Sequence, residues 1–246
     1  MVDKAEEPFV QVIADQLESK NPIIMSGFPG MGIVGNIVTQ YFIDQLDMKL
    51  CGRVESRLFP PIAILYEGLV KGPVRIYEKP EKGLIIVFSD IPIDPIISRE
   101  VGTAIVKWAK TLNPREMISL AGLATTGEGH KVFGAATSRE ILEEIKGKVD
   151  VFEMGTITGV PGVIMNECLN QGINSVCILG ETRGPNPDPR AAIEVVKAMN
   201  HIYEFDIDIK AMEAQATEIE QVLHKLSEQI GEAEAKSGQR DIPMYG

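Results

Sequence analysis

Apolar positions along the chain switch between two periods, and the switches mark out the elements. Pro22–Met25 is a short apolar run that stops in the glycine-rich stretch Ser26-Gly27-Phe28-Pro29-Gly30-Met31-Gly32. Beyond it Ile33, Val34, Ile37, Val38, Tyr41 and Phe42 fall on one helical stripe, giving a strand–loop–helix unit. Three strands are predicted next, around Ile62–Tyr66, Val74–Glu78 and Leu84–Phe88, with Gly68 to Gly72 read as a hairpin turn between the first two. Val101, Ala104, Ile105, Trp108, Ala109 and Leu112 then form an amphipathic helix closed by Asn113-Pro114. Met117–Ala121 reads as a buried strand, and Thr137-Ser138-Arg139-Glu140 as a capping box for a helix through Ile145. Val151–Met154 and Ser175–Leu179 complete the strands, with a helix near Val163–Asn170 between them; Asp188-Pro189 caps a last core helix over Ala191–Tyr203. Strands alternating with helices, several of them unbroken apolar runs, predict an α/β fold with a mixed, mainly parallel sheet flanked by helices.

The pattern changes after residue 205, which divides the chain into a core over 1–205, a helix over 206–236 and a tail over 237–246. Ile209, Met212, Ala216, Ile219, Leu223, Leu226, Ile230 and Ala233 are spaced 3-4-3-4-3-4-3, an unbroken heptad seam with Gln, Glu and Lys between. Such a seam packs on another helix or on the chain's own core. Ser237 to Gly246 has no periodicity and is expected to be a mobile tail ending in Met244-Tyr245-Gly246. An apolar residue, a tyrosine and a terminal carboxylate suit insertion into pockets: the carboxylate can pair with a lysine, and the phenol brings a rigid contact with a polar tip.

Charge and composition narrow the partners. The formal net charge is −11, and the predicted helix, with eight acids against three lysines, contributes −5 of it. That excess disfavours nucleic acid and anionic membrane surfaces, which need a basic face. The longest aliphatic and aromatic run is Leu84–Phe88, strand-length rather than membrane-length. Cys51, Cys168 and Cys177 lack CxxC spacing and read as reduced, buried thiols of a cytoplasmic protein, and the first ten residues lack a signal-peptide layout.

Candidate chemistry is sparse. Gly30, Gly32 and Gly35 match G-x-G-x-x-G after a strand and before a helix, with Glu55 at about the distance of a ribose-binding acid. Against a cofactor site, Pro29 removes an amide and the Arg53–Arg57 segment is polar where a strand end is expected to be apolar. A cofactor loop and a tight structural turn both stay open. Glu128 and His130 follow the Met117–Ala121 strand and could act as acid and base, as could Asp90, Asp94 or Glu181, but no spacing ties them together. His201 and His224 fall in separate predicted helices, so no metal cluster is expected.

Ser26–Gly35, Gly122–Gly127, Gly159-Val160-Pro161-Gly162 and Gly180–Ala192 together resemble, in order, the archaeal and bacterial relatives of the second eukaryotic proteasome assembly chaperone. The resemblance covers about residues 20 to 205. It implies a sandwich similar to purine nucleoside phosphorylases, used without known catalysis or cofactor, in a homo-oligomer. Some relatives are catalogued as possible ATP-grasp enzymes. Members with a hydrophobic–tyrosine–X tail resemble ATP-independent activators or assembly factors that bind the 20S proteasome α-subunit ring, which implies docking through Met244, Tyr245 and Gly246. The competing expectation is a nucleotide-binding or phosphorylase/ligase-like enzyme using the Gly30–Gly35 loop with Glu128 and His130.

Overall fold

The computed structural model describes residues 9–127 and 129–217, so Glu128, most of the heptad seam and Met244-Tyr245-Gly246 lie outside the described residues. Nine strands form one mixed sheet: β1 (Val10–Ala14), β2 (Ile23–Gly27), β3 (Lys49–Ser56), β6 (Val74–Lys79), β7 (Leu84–Ser89), β8 (Glu116–Ala124), β9 (Val132–Ala136), β10 (Asp150–Val151) and β11 (Ser175–Thr182). Their order is β1-β3-β6-β7-β2-β8-β11-β9-β10. The centre, β7-β2-β8-β11, is parallel, and the flanks add antiparallel neighbours. β2, β7 and β11 are buried at every position, as their unbroken apolar runs require when helices cover both faces.

Five helices cover the sheet: α1 (Val34–Gln45), α2 (Pro95–Thr111), α3 (Arg139–Ile145), α4 (Gly159–Gln171) and α5 (Pro189–Tyr203). α1 packs with α5, and α2 with α4. Asp94 caps α2 by accepting from the Ile96 amide, with Pro95 in the first turn, and Ser138 caps α3 from the Ile141 amide. One core cluster lies under α2 and α4, where Ile24, Ile85 and Val87 meet Val101, Ile105 and Ile164.

Several elements differ from the sequence reading. The hairpin forms inside the loop: β4 (Ile64–Tyr66) pairs with β5 (Leu69–Lys71) as a separate two-stranded sheet. Glu67 and Gly68 both have positive φ, the two-residue turn that matches strand twist. Val74–Lys79 is thereby free to join the main sheet between β3 and β7. Lys49–Ser56 is a strand despite its polarity because it needs only one covered face: Cys51 and Val54 point inward while Arg53 and Glu55 are exposed. β1 and β9, short and weakly patterned, were not expected. The Val151–Met154 strand shrinks to Asp150–Val151, and α4 starts four residues earlier than the predicted helix.

The sheet has distinct ends. β2, β7, β8 and β11 all finish at one end, and because β1 runs antiparallel to β3, Phe9 and the 57–73 segment sit there too. Tight turns at Asn21, Asp47 and Asn113, each with positive φ, close the opposite end, where the Asn21 side-chain amide donates to the Asn113 carbonyl at 3.0 Å. By contact density the chain divides into Met1–Ile207 and Asp208–Gly246. Within the second unit residues 210–217 are helical, with the Lys210 amide bound by Asp208 Oδ1 at 2.9 Å.

Candidate functional site

The carboxyl ends of β2, β8 and β11 bring three of the loops singled out above onto one surface. After β2, residues Met31–Ile33 make a single 3-10 turn before α1, with φ of 60° at Gly32 and 51° at Ile33. A β-branched residue there is strained, so the surroundings must hold it. They do so through backbone. The Gly32 amide donates to the Gly184 carbonyl at 2.8 Å, the Asp188 amide donates to the Gly32 carbonyl at 2.9 Å, and the Ile33 amide is taken by Gly30.

Gly35 packs directly on β8. A Cβ at that position would lie 2.1 Å from the Leu120 carbonyl oxygen, and one on Gly122 would lie 2.0 Å from the Met31 carbonyl oxygen. The glycine pattern thus lets backbone approach backbone, and the loop's Gly32 and Ile33 amides are spent inside the protein. Glu55 also falls in the wrong place for a dinucleotide site. β3 is separated from β2 by β6 and β7, and Glu55 pairs with Arg53 beside β1. A Cβ on Gly30 would meet only the Phe28 carbonyl oxygen, at 4.0 Å, and Gly30 lines a groove of about 200 Å³ with Phe28, Met31, Ile93, Leu123 and Ile157.

A hydrogen-bonded network joins the other two loops. The Thr125 hydroxyl donates to Glu181 Oε1 at 2.5 Å, and the Lys131 amide donates to Oε2 at 3.0 Å. These two donors, the hydroxyl foremost, hold the Glu181 carboxyl below its ordinary value. Asp188 accepts from the Thr182 hydroxyl at 2.8 Å and from the Ala191 amide at 3.0 Å, which caps α5. His130 Nε2 lies 3.4 Å from Asp188 Oδ1. So the structure does gather His130, Glu181 and Asp188, which sequence spacing alone could not link. Both oxygens of each carboxylate, however, are committed to loop and helix contacts.

The remaining candidates have structural roles. Asp90 makes a bidentate pair with Arg75, whose guanidinium lies over the Phe88 ring at 5.1 Å, and Asp94 caps α2. His201 lies on α5, and among the described residues no three His, Cys, Asp or Glu side chains converge to hold a metal. All three cysteines are buried, with burial pushing the thiols up to about 12 at Cys51 and Cys177 and about 11 at Cys168. No helix among the described residues is long and apolar enough to cross a membrane.

This cross-braced surface suits rigid presentation of loops to a partner. Sequence reasoning overlooked the bracing roles of Thr125 and Lys131, although Thr-Thr-Gly and Asp-Pro are recognisable turn and cap signals. The model of the PAC2 family matches residues 24–227. The chain is 33% identical to a solved structure of Pyrococcus furiosus PbaA, an archaeal homolog of proteasome-assembly chaperone, with a TM-score of 0.85 covering 98% of this chain and 100% of that one. An uncharacterised Methanocaldococcus jannaschii protein is 34% identical over 230 residues, 94% of this chain and 95% of its own. Pyrococcus furiosus PbaB, an archaeal proteasome activator, shares the fold at a TM-score of 0.79 and 24% identity, over 90% of this chain and 100% of that one.

Proposed function

Because the chain belongs to the PAC2 family, we propose that it is an ATP-independent proteasome assembly chaperone or activator, acting as a cytoplasmic homo-oligomer on the 20S α-ring. The observation that carries this reading is end-to-end similarity to PbaA at 33% identity. The locked glycine loop and fully engaged carboxylates fit a binding role better than a catalytic one.

In this reading the core over 1–205 oligomerises, the segment over 206–236 spaces the tails, and Met244-Tyr245-Gly246 enters pockets between α subunits. Tyr245 and the Gly246 carboxylate anchor each tail. One tail binds weakly, but several on one oligomer meet a multi-pocket ring at millimolar-order effective concentration and gain on the order of 10²- to 10⁴-fold.

The test is capture of 20S particles by immobilised protein. Deleting Met244–Gly246, or Tyr245→Ala, should abolish capture while leaving the thermal midpoint unchanged. Equal capture by wild type and truncated protein would sink the tail mechanism. A screen of thermal stability with ATP, NAD, nucleosides and phosphate tests the enzyme alternative, which a clear stabilisation would revive.

A further inference from the structure

Among the described residues the fold buries four charged side chains, Arg75, Glu78, Glu116 and Glu181. Three of them are answered inside the protein. Arg75 pairs with Asp90, Glu78 accepts from the Glu18 and Ser19 amides at 3.0 and 2.8 Å, and Glu181 accepts from Thr125 and Lys131. Glu116, the first residue of β8, is 6% exposed and forms no ion pair with any described residue. A buried carboxylate is unfavourable unless it is paired, holds a cation or gives up its charge.

The strand turns this carboxyl into a recess. Met117, next along β8, packs in the cluster under α2 and α4, so alternation aims Glu116 at the other side of the sheet, toward α3 and α5. There it lines a cavity of about 420 Å³, inside the range of about 300–1,000 Å³ typical of small-ligand sites. Ile141 and Ile145 of α3, with Ile202 and the Tyr203 ring of α5, supply apolar wall. The Tyr203 hydroxyl is sealed from solvent and makes no well-aligned hydrogen bond, with the Glu116 carboxyl beside it. Burial, helped by the neighbouring Glu144 charge, pushes the Glu116 carboxyl above its ordinary value.

We propose that this recess binds a small aliphatic ammonium ion, its charged head on Glu116 and its stem along the isoleucines. The mouth leaves the sign of the ligand to Glu116, because exposed Arg115 and Lys148 there balance exposed Glu144 and Glu204. An ammonium head has three N–H donors, and both Glu116 oxygens and the unengaged Tyr203 oxygen are acceptors for them. A metal ion suits the recess less well: among the described residues no three His, Cys, Asp or Glu side chains converge. Nor would a hydrated inorganic ion gain from aliphatic walls, whereas an alkyl stem is drawn out of water by them. The site lies at the amino end of β8, away from the braced loops, and depends on neither the tail nor an oligomer.

Titration of the full chain with butylammonium, followed through the isoleucine methyl signals by NMR, tests this directly. The methyls of Ile141, Ile145 and Ile202 should shift and saturate, while Ile24 and Ile85, packed under α2 and α4, should stay still. Butanol and butyrate carry the same stem without the positive head, and each should bind at least tenfold more weakly. Glu116→Gln keeps the shape but removes the charge, so it should weaken butylammonium at least tenfold with an unchanged methyl spectrum of the free protein. The comparison of the three probes on wild type decides the matter even where that variant folds poorly. Absence of saturable shifts at the three methyls, butyrate or butanol binding as tightly as butylammonium, or undiminished binding by folded Glu116→Gln each overturns the proposal. A recess that stays silent to every probe means that Glu116 is simply held protonated, and that too overturns it.

Discussion

Glu181 sits at the end of β11 with 7% of its surface exposed, and its two carboxylate oxygens bind two different loop positions. Replacing it by glutamine removes the charge and turns one acceptor into a donor aimed at a donor. Hydrogen bonds to a charged group contribute about 1.5–3 kcal/mol, so Glu181→Gln should lower stability by roughly 2 kcal/mol at pH 7. The sign with pH follows from the lowered carboxyl. Its folded value lies below the ordinary 4.5, so the stabilisation is present above 4.5 and is lost as pH falls through the folded value. Urea denaturation at pH 7 and pH 3 should show the gap between wild type and variant closing on acidification. A gap that widens at low pH would show that the network is not acting through this charge. Glu116, also buried, shifts the opposite way because burial disfavours its charged form, so comparison with the variant isolates Glu181 better than the wild-type acid curve does.

At the scale of elements, α1 is set against β8 by a glycine. Alanine in place of Gly35 would gain about 1 kcal/mol of helix propensity. It would also place a methyl group 2.1 Å from the Leu120 carbonyl oxygen, and overpacking costs about 1–3 kcal/mol or more when backbone is the obstacle. The clash should win. Gly35→Ala is expected to be at least about 1 kcal/mol less stable in chemical denaturation, and a stabilised variant would mean that α1 can shift freely on the sheet. The elements also show what a sequence exposes and what it hides. Strands buried on both faces, β2, β7 and β11, are readable because every position is apolar, and α2 and α5 because caps and prolines mark their starts. β3 and β1 escape because near-edge strands are covered less and their composition stays polar. The 62–78 hairpin is misread because glycine marks a turn without saying which strands it joins; Gly72 is not the turn, and Glu67-Gly68 is. In the candidate site the glycines are visible, but their purpose is not: whether an amide faces a phosphate or the Gly184 carbonyl depends on a loop more than 140 residues away.

At the scale of the whole molecule, assembly and docking are coupled through valency. If the copies assemble and each carries one tail, a substitution that leaves the chain monomeric should keep the tail chemistry intact and still weaken 20S capture on the order of 10²-fold or more. Fusing the monomeric variant to a coiled coil should restore capture, and a monomer that binds as tightly as wild type would remove valency from the mechanism. The two ends of the sheet also differ in what they leave free for experiment. Phe9, the β4–β5 hairpin and the braced loops crowd one pole, while the other is closed by short turns at Asn21, Asp47 and Asn113. A sensor surface or fluorophore attached by a single engineered thiol at Asp47 would leave the crowded pole facing solution. Random coupling through lysines would foul it: Lys71 stands on the β4–β5 hairpin and Lys131 in the braced loops, so labels would land on the pole that the single thiol leaves free.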